Sequence, residues 1–237
     1  MAPRPPNLTD ASLDALLRGE VGVLTGWTAE WRTHRVGRDV VLIVLGAGLF
    51  GAAAGCWRDP LQALYAGIKL PLIVLLTAGG NALVNAFLAP LLGLPLRFVQ
   101  SFLAILASFA LASAILGAFA PLALFVIWNA PPLVEGANNS TTYAAILLLL
   151  VGAIAFAGVV ANLQLFRLLR SFAGNAPPAW RVLIAWLAGN LFLGSQLSWV
   201  LRPFIGSPGM PVEFLRRTAF DGNFYEAVFR SAVSFFN

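Results

Sequence analysis

Five long apolar runs alternate with short polar breaks along the chain, at about Val40–Trp57, Ala66–Leu92, Phe98–Phe119, Tyr143–Phe166 and Trp180–Leu201. Each is long enough to cross a hydrocarbon layer about 30 Å thick as a helix. The breaks carry turn chemistry: Arg58-Asp59-Pro60, Gly93 to Arg97, Asn129 to Thr142 and Gly174 to Pro178. Pro121 is placed to end or kink the third run before Trp128, which leaves the count at five or six spans. The pattern predicts an all-α, polytopic helical membrane protein: about five transmembrane helices preceded by an amino-terminal amphipathic helix.

That first helix is read from a different periodicity. Leu13, Leu16, Leu17, Val21 and Leu24 recur at helical spacing, with Asp14, Arg18 and Glu20 on the remaining face. Trp27 and Trp31 follow one turn apart, and Arg32, Arg35 and Arg38 come close behind, an order suited to a membrane interface. The segment lies along that interface or docks on the protein's own bundle. Three regions result: a cytoplasmic interfacial segment over residues 1–38, a helical bundle over 39–202, and a Gly/Pro-bearing tail over 203–237. Phe214 to Phe236 in the tail reads as a short amphipathic piece. The opening Met1 to Pro6 lacks the apolar stretch of a signal peptide, so the spans are expected to direct insertion.

Small and polar residues inside the runs mark faces that meet protein rather than lipid. Ala47, Gly51 and Gly55 form a small-residue stripe in the first span, and Ala153, Ala157 and Ala161 repeat the spacing in the fourth. Such stripes let two backbones approach closely, within one chain or between copies. Thr77, Asn81 and Asn85 share one face of the second span, and Asn190, Gly194 and Ser198 one face of the fifth. These polar faces join helices by hydrogen bonds or line a pore. Lys69, near the start of the second span, is expected to snorkel to the interface.

Composition supports lipid as the solvent. Of 237 residues, 59% are hydrophobic and 11% charged, too few charges to cover a soluble fold of this length. The net charge of +5 would suggest nucleic acid in a soluble protein, but here the bases flank apolar runs, so no nucleic-acid partner is expected. Their distribution sets a topology. Arg167, Arg170 and Arg181 surround the fourth-to-fifth connection, whereas Asn129 to Thr142 carries no base. The positive-inside rule puts the former in the cytoplasm with the amino terminus, and the carboxyl terminus outside. The expected location is a cell membrane, the bacterial inner membrane in particular.

Few chemistries are available. One cysteine, Cys56, and one histidine, His34, leave little from which to build a metal or haem site, and no cofactor is expected. Cys56 falls within the first apolar run, where it reads as a small hydrophobe. All acids fall outside the five runs, so an intramembrane aspartyl protease or an acid-coupled carrier is not expected. An intramembrane serine protease would lack a histidine base for Ser195. Arg202 to Gly209 follows the last span, and Arg202 and Ser207 there are candidates for contact with a lipid headgroup. The same residues also read as a plain helix stop and turn.

The stretch Lys69 to Thr77 and the Asn-bearing helix after it resemble the Yip (Ypt-interacting protein) family of multi-pass membrane proteins and its bacterial relatives. The likeness is one of architecture over about Trp57 to Leu201. It implies a role in membrane organisation, as eukaryotic members have in trafficking, and no functional residue is carried over. The function expected is a non-enzymatic membrane scaffold or accessory subunit organising lipids or partner membrane proteins, with membrane lipid, other membrane proteins or further copies as partners. A small channel or transporter using the Asn/Thr faces is the alternative.

Overall fold

The computed structural model describes Ala15, Arg18 and residues 20–29, 31–94, 96–131, 140–174, 176–206 and 211–226. Its described residues form helices and turns, with no strand among them. A short helix, α1 (Val21–Ala29), precedes five long ones: α2 (Thr33–Gly55), α3 (Pro60–Leu91), α4 (Phe98–Trp128), α5 (Ser140–Ala173) and α6 (Ala176–Leu201). All five are long and apolar enough to cross a membrane. The polytopic helical fold is therefore the one the apolar runs predict.

Local chemistry explains the boundaries. The Asp59 side chain accepts a hydrogen bond from the Leu61 amide at 2.7 Å, and Pro60 occupies the first helical turn of α3, so Arg58-Asp59-Pro60 is a turn that restarts a helix. Gly93, at φ +90°, takes the left-handed conformation that ends α3. Pro121 lies inside α4, which runs unbroken to Trp128, so the third apolar run is one helix and not two. Spanning helices tolerate an internal proline because neighbouring groups re-satisfy the freed carbonyl. Pro71 and Pro90 lie inside α3 in the same way.

Two sequence expectations are corrected here. α2 begins at Thr33, ahead of its apolar run, and so contains Asp39, which is 5% exposed. One acid thus lies within a spanning helix, held by Arg38, whose Nε and Nη2 donate to its Oδ1 at 2.9 and 2.6 Å. Cys56 is the residue that caps α2 and is exposed in the turn, outside the helix rather than within it.

α2 is wedged between α3 and α4. Its glycines allow this on both sides. A Cβ on Gly51 would collide with the Ala66 carbonyl, and one on Gly55 would stand 2.6 Å from the Gln62 carbonyl, both in α3. On the opposite side a Cβ on Gly46 would collide with the Ser113 carbonyl of α4. Ala47, Gly51 and Gly55 are all buried, so the stripe is used within the chain. The Ala153, Ala157 and Ala161 stripe of α5 is buried too, and Ser108 of α4 donates to the Ala161 carbonyl at 3.3 Å. α6 closes the bundle against α3 and α5.

α1 packs on α4 and α5 at the end of the bundle that carries the α3–α4 and α5–α6 connections. Leu24 is 2% exposed within the core, and Thr25 shares a hydrogen bond with Ser171 of α5. Over Val21–Ala29 the segment therefore docks on the bundle. Leu13, Leu16 and Leu17 lie outside the described residues.

Candidate functional site

At the opposite end of the bundle, α3 presents Gln62, Tyr65 and Lys69 along one face, and the segment after α6 folds back over it. Pro203 cannot donate the hydrogen bond that would prolong α6. The Arg202 guanidinium instead turns back, donating to the Trp199 carbonyl at 2.7 Å and lying 3.5 Å from the Trp199 ring centroid. Gly206, at φ +87°, bends the chain where a side chain would press on Arg58. The returning segment brings two carbonyls to Lys69. Its Nζ donates to Pro203 O at 3.0 Å and Glu213 O at 3.5 Å. Beside it, Gln62 Nε2 donates to the Pro203 and Phe204 carbonyls at 2.9 and 2.8 Å.

Lys69 is 0% exposed, so it does not snorkel; the tail covers it. Its ammonium is satisfied by carbonyls and by the faces of Phe214 and Tyr65, whose centroids lie 5.2 and 5.9 Å away. Those two rings meet edge-on at 5.4 Å. The tail then reaches α6, where Tyr225 stacks on Phe192 and its hydroxyl lies 3.0 Å from Ser195 Oγ. Between these anchors residues 211–223 form loop and turn and 224–226 are helical; residues 227–236 of the amphipathic piece expected from Phe214 onward lie outside the described residues. Ser207 lies outside the described residues.

The tail from residue 203 onward carries three bases, Arg216, Arg217 and Arg230, and three acids, Glu213, Asp221 and Glu226. Arg216 is within electrostatic range of both Lys69 and Arg202. Burial and the Arg216 charge push the Arg202 guanidinium below its ordinary value, and Asp221 opposes this. Arg216 and Arg217 line an open cleft of about 280 Å³ with Pro211, Glu213 and Thr218. Among the described residues no hydrogen bond or ion pair engages either guanidinium.

The second polar set lies within the bundle. Asn81 Nδ2 donates to Asn190 Oδ1 and, at 3.1 Å, to the Trp186 carbonyl of α6, while Asn85 Nδ2 donates to Asn81 Oδ1 at 2.7 Å. Asn81, Asn85 and Thr77 are buried, and Asn190 is half-buried. Gly189 makes the contact possible, because a Cβ there would collide with Asn81 Oδ1. Thr77 approaches Gly194 of α6, and Ser198 is half-buried further along that helix. Thr77 Oγ1, Asn85 Oδ1 and Trp186 Nε1 are buried without a hydrogen-bond partner among the described residues. A neighbouring cavity of about 50 Å³ touches Asn190, Asn162 and Ser108.

The structure thus joins Asn81, Asn85 and Asn190 in one network and places Arg202 in a separate, tail-borne cluster. Sequence reasoning missed Lys69 and Gln62 as tail anchors. The signal was their heptad spacing on α3 with Tyr65 between them, and it points to one face without naming what covers it. It also missed Gly189 and Trp186, where α6 meets the Asn face. Among the described residues no group of three or more His, Cys, Asp or Glu could hold a metal ion. The chain matches no protein-family model, no curated protein and no solved structure.

Proposed function

We propose that the protein is a non-enzymatic integral-membrane scaffold or accessory subunit that organises lipids or partner membrane proteins. One observation carries this reading: Asn81, Lys69 and Gln62, polar side chains inside the bundle, are spent on joining one part of the chain to another. Asn81 ties α3 to α6, and Lys69 and Gln62 tie α3 to the tail. Accessible charge is left at the ends, on Arg216 and Arg217 in particular. The resemblance to Yip-type proteins leads to the same kind of role. A channel is the second reading, favoured by the unpartnered Thr77 and Asn85 oxygens, which would suit a file of water or a polar solute.

Two measurements separate these. Purification of the full chain in mild detergent should carry specific lipid or protein partners with it, and liposomes containing the pure protein should leak ions and small solutes no faster than empty ones. A flux that Asn81→Leu abolishes would establish the channel instead.

The same reading places the protein in a bacterial inner membrane with its amino terminus in the cytoplasm and Cys56, the tail and the 129–139 connection outside. As the sole cysteine and an exposed one, Cys56 reports this directly. A membrane-impermeant maleimide should label it in cells whose outer barrier has been opened, with Cys56→Ser as the blank. Burial pushes the thiol up, so less of the reactive thiolate is present at neutral pH than for a free cysteine. Labelling should therefore be slow there and accelerate about tenfold per pH unit on going alkaline. Labelling only after the inner membrane is lysed would invert the topology.

A further inference from the structure

We infer that the tail cleft formed by Glu213, Arg216, Arg217 and Thr218 is a binding site for the headgroup of an aminophospholipid, phosphate on the arginines and amine on the glutamate. The inference rests on the lipid-organising reading above and gives it a site and a lipid class. The chemistry is that of the lining. Two adjacent guanidiniums supply the planar donor forks that suit phosphate oxygens, and Thr218 adds a hydroxyl. Neither guanidinium is engaged by another described residue, so both are open to a ligand. Arg202, in electrostatic range of Arg216, adds to the positive field.

Glu213 makes the cleft more than a basic patch. A site for a plain anion gains nothing from a carboxylate in its wall, whereas a zwitterionic headgroup offers that carboxylate an amine. The volume, about 280 Å³, exceeds what inorganic phosphate fills. A lipid is favoured over a soluble zwitterion by what surrounds the cleft. Leu215 and Phe220, close in sequence to the lining residues, are exposed, Phe220 by 77%, and the segment is fastened to the end of a spanning bundle. Acyl chains have apolar surface to follow from a headgroup held there. Lys69 acts as a positioning residue, because its bond to the Glu213 carbonyl holds the Arg-bearing turn against α3.

The test uses the full chain in a maltoside detergent, titrated with short-chain phosphatidylethanolamine, short-chain phosphatidylglycerol or inorganic phosphate and read by native mass spectrometry. Wild type should bind phosphatidylethanolamine more tightly than phosphatidylglycerol, and excess inorganic phosphate should not displace it. Arg216→Gln with Arg217→Gln should weaken phosphatidylethanolamine binding at least about tenfold, because two charge-assisted contacts are lost. Glu213→Gln should remove the preference for the amine lipid while keeping phosphatidylglycerol. Unchanged thermal unfolding of each variant, reached at partly exposed positions, confirms that the fold is intact. Wild-type affinity in the double Arg variant would overturn the site while leaving the lipid-organising reading standing. Displacement by inorganic phosphate at equal concentration would make the ligand a free anion and overturn the lipid assignment, and an amine preference that survives Glu213→Gln would overturn the role of the glutamate. Failure of wild type to hold any of these lipids would remove both this site and the lipid half of the proposed function.

Discussion

Gly46→Leu should prevent the bundle from assembling. The position is the tightest crossing of α2 and α4: an added Cβ meets the Ser113 carbonyl, and Gly117 faces Gly46 from the other helix. Backbone cannot rotate away as a side chain can, so the helices must separate. Separation would open the cluster around Phe50, Ala54 and Leu116 to lipid or water. Overpacking a well-filled core costs about 1–3 kcal/mol, and more where backbone blocks the way. Gly46→Ala already adds the colliding Cβ and should cost at least the upper end of that range, with Gly46→Leu costing more still. Gly51→Leu and Gly55→Leu meet α3 backbone in the same manner and should follow closely. Leu45→Ala, one residue from Gly46 but 57% exposed on the outer face, should cost less than about 0.5 kcal/mol. Thermal unfolding in detergent measures all of these. Wild-type stability in Gly46→Leu would mean that the two helices do not cross so closely.

The second large effect should come from Lys69→Met. The variant keeps the volume of the side chain and removes the ammonium, so the Pro203 and Glu213 carbonyls lose a charged donor. Hydrogen bonds to charged groups contribute about 1.5–3 kcal/mol each. Even one of them would raise the population with the tail detached by about tenfold to a hundredfold. The bundle itself should persist, since α2, α3 and α4 pack without the tail. Trypsin gives the readout: the Arg216 and Arg217 side chains are already accessible, and release of the segment from α3 frees its backbone to extend into the protease. Cleavage after these residues should accelerate by that factor in Lys69→Met, with the long helices still intact. Equal cleavage rates in the two proteins would mean that Lys69 does not hold the tail, and that Gln62 and the Phe214–Tyr65 contact suffice.

Both predictions rest on residues visible in the sequence whose partners were not. Gly46 and Lys69 stand in apolar runs that any hydropathy reading finds, yet the importance of each depends on what crosses it. The stripe Ala47, Gly51 and Gly55 shows the contrast well. Its spacing announces a close helix contact, and the structure supplies α3 as the partner. Gly46 lies off that stripe, and only a helix on the opposite face gives it a role. Lys69 near the start of a span invites the reading that it reaches for water, because an isolated spanning helix leaves a lysine no other option. A returning tail offers carbonyls nearer than solvent, and no local periodicity encodes its path.

What the sequence determined by itself is the part of the fold governed by the solvent. Long apolar runs with few charges must lie in lipid, and in lipid a backbone must satisfy itself, so a bundle of five or six spanning helices follows from composition and run length alone. Turn positions follow as well, because Asp59-Pro60 and Gly93 act on their immediate neighbours. Tertiary structure decided the rest, since helix pairing depends on side chains far apart in the chain meeting in space. It joined Asn81 to Asn190, turned α1 inward through Leu24, carried α4 unbroken through Pro121, and folded the tail over Lys69 so that Arg202, Arg216 and Arg217 gather at one end. Each of these is a choice among contacts of similar local cost, and only packing the whole bundle at once distinguishes them.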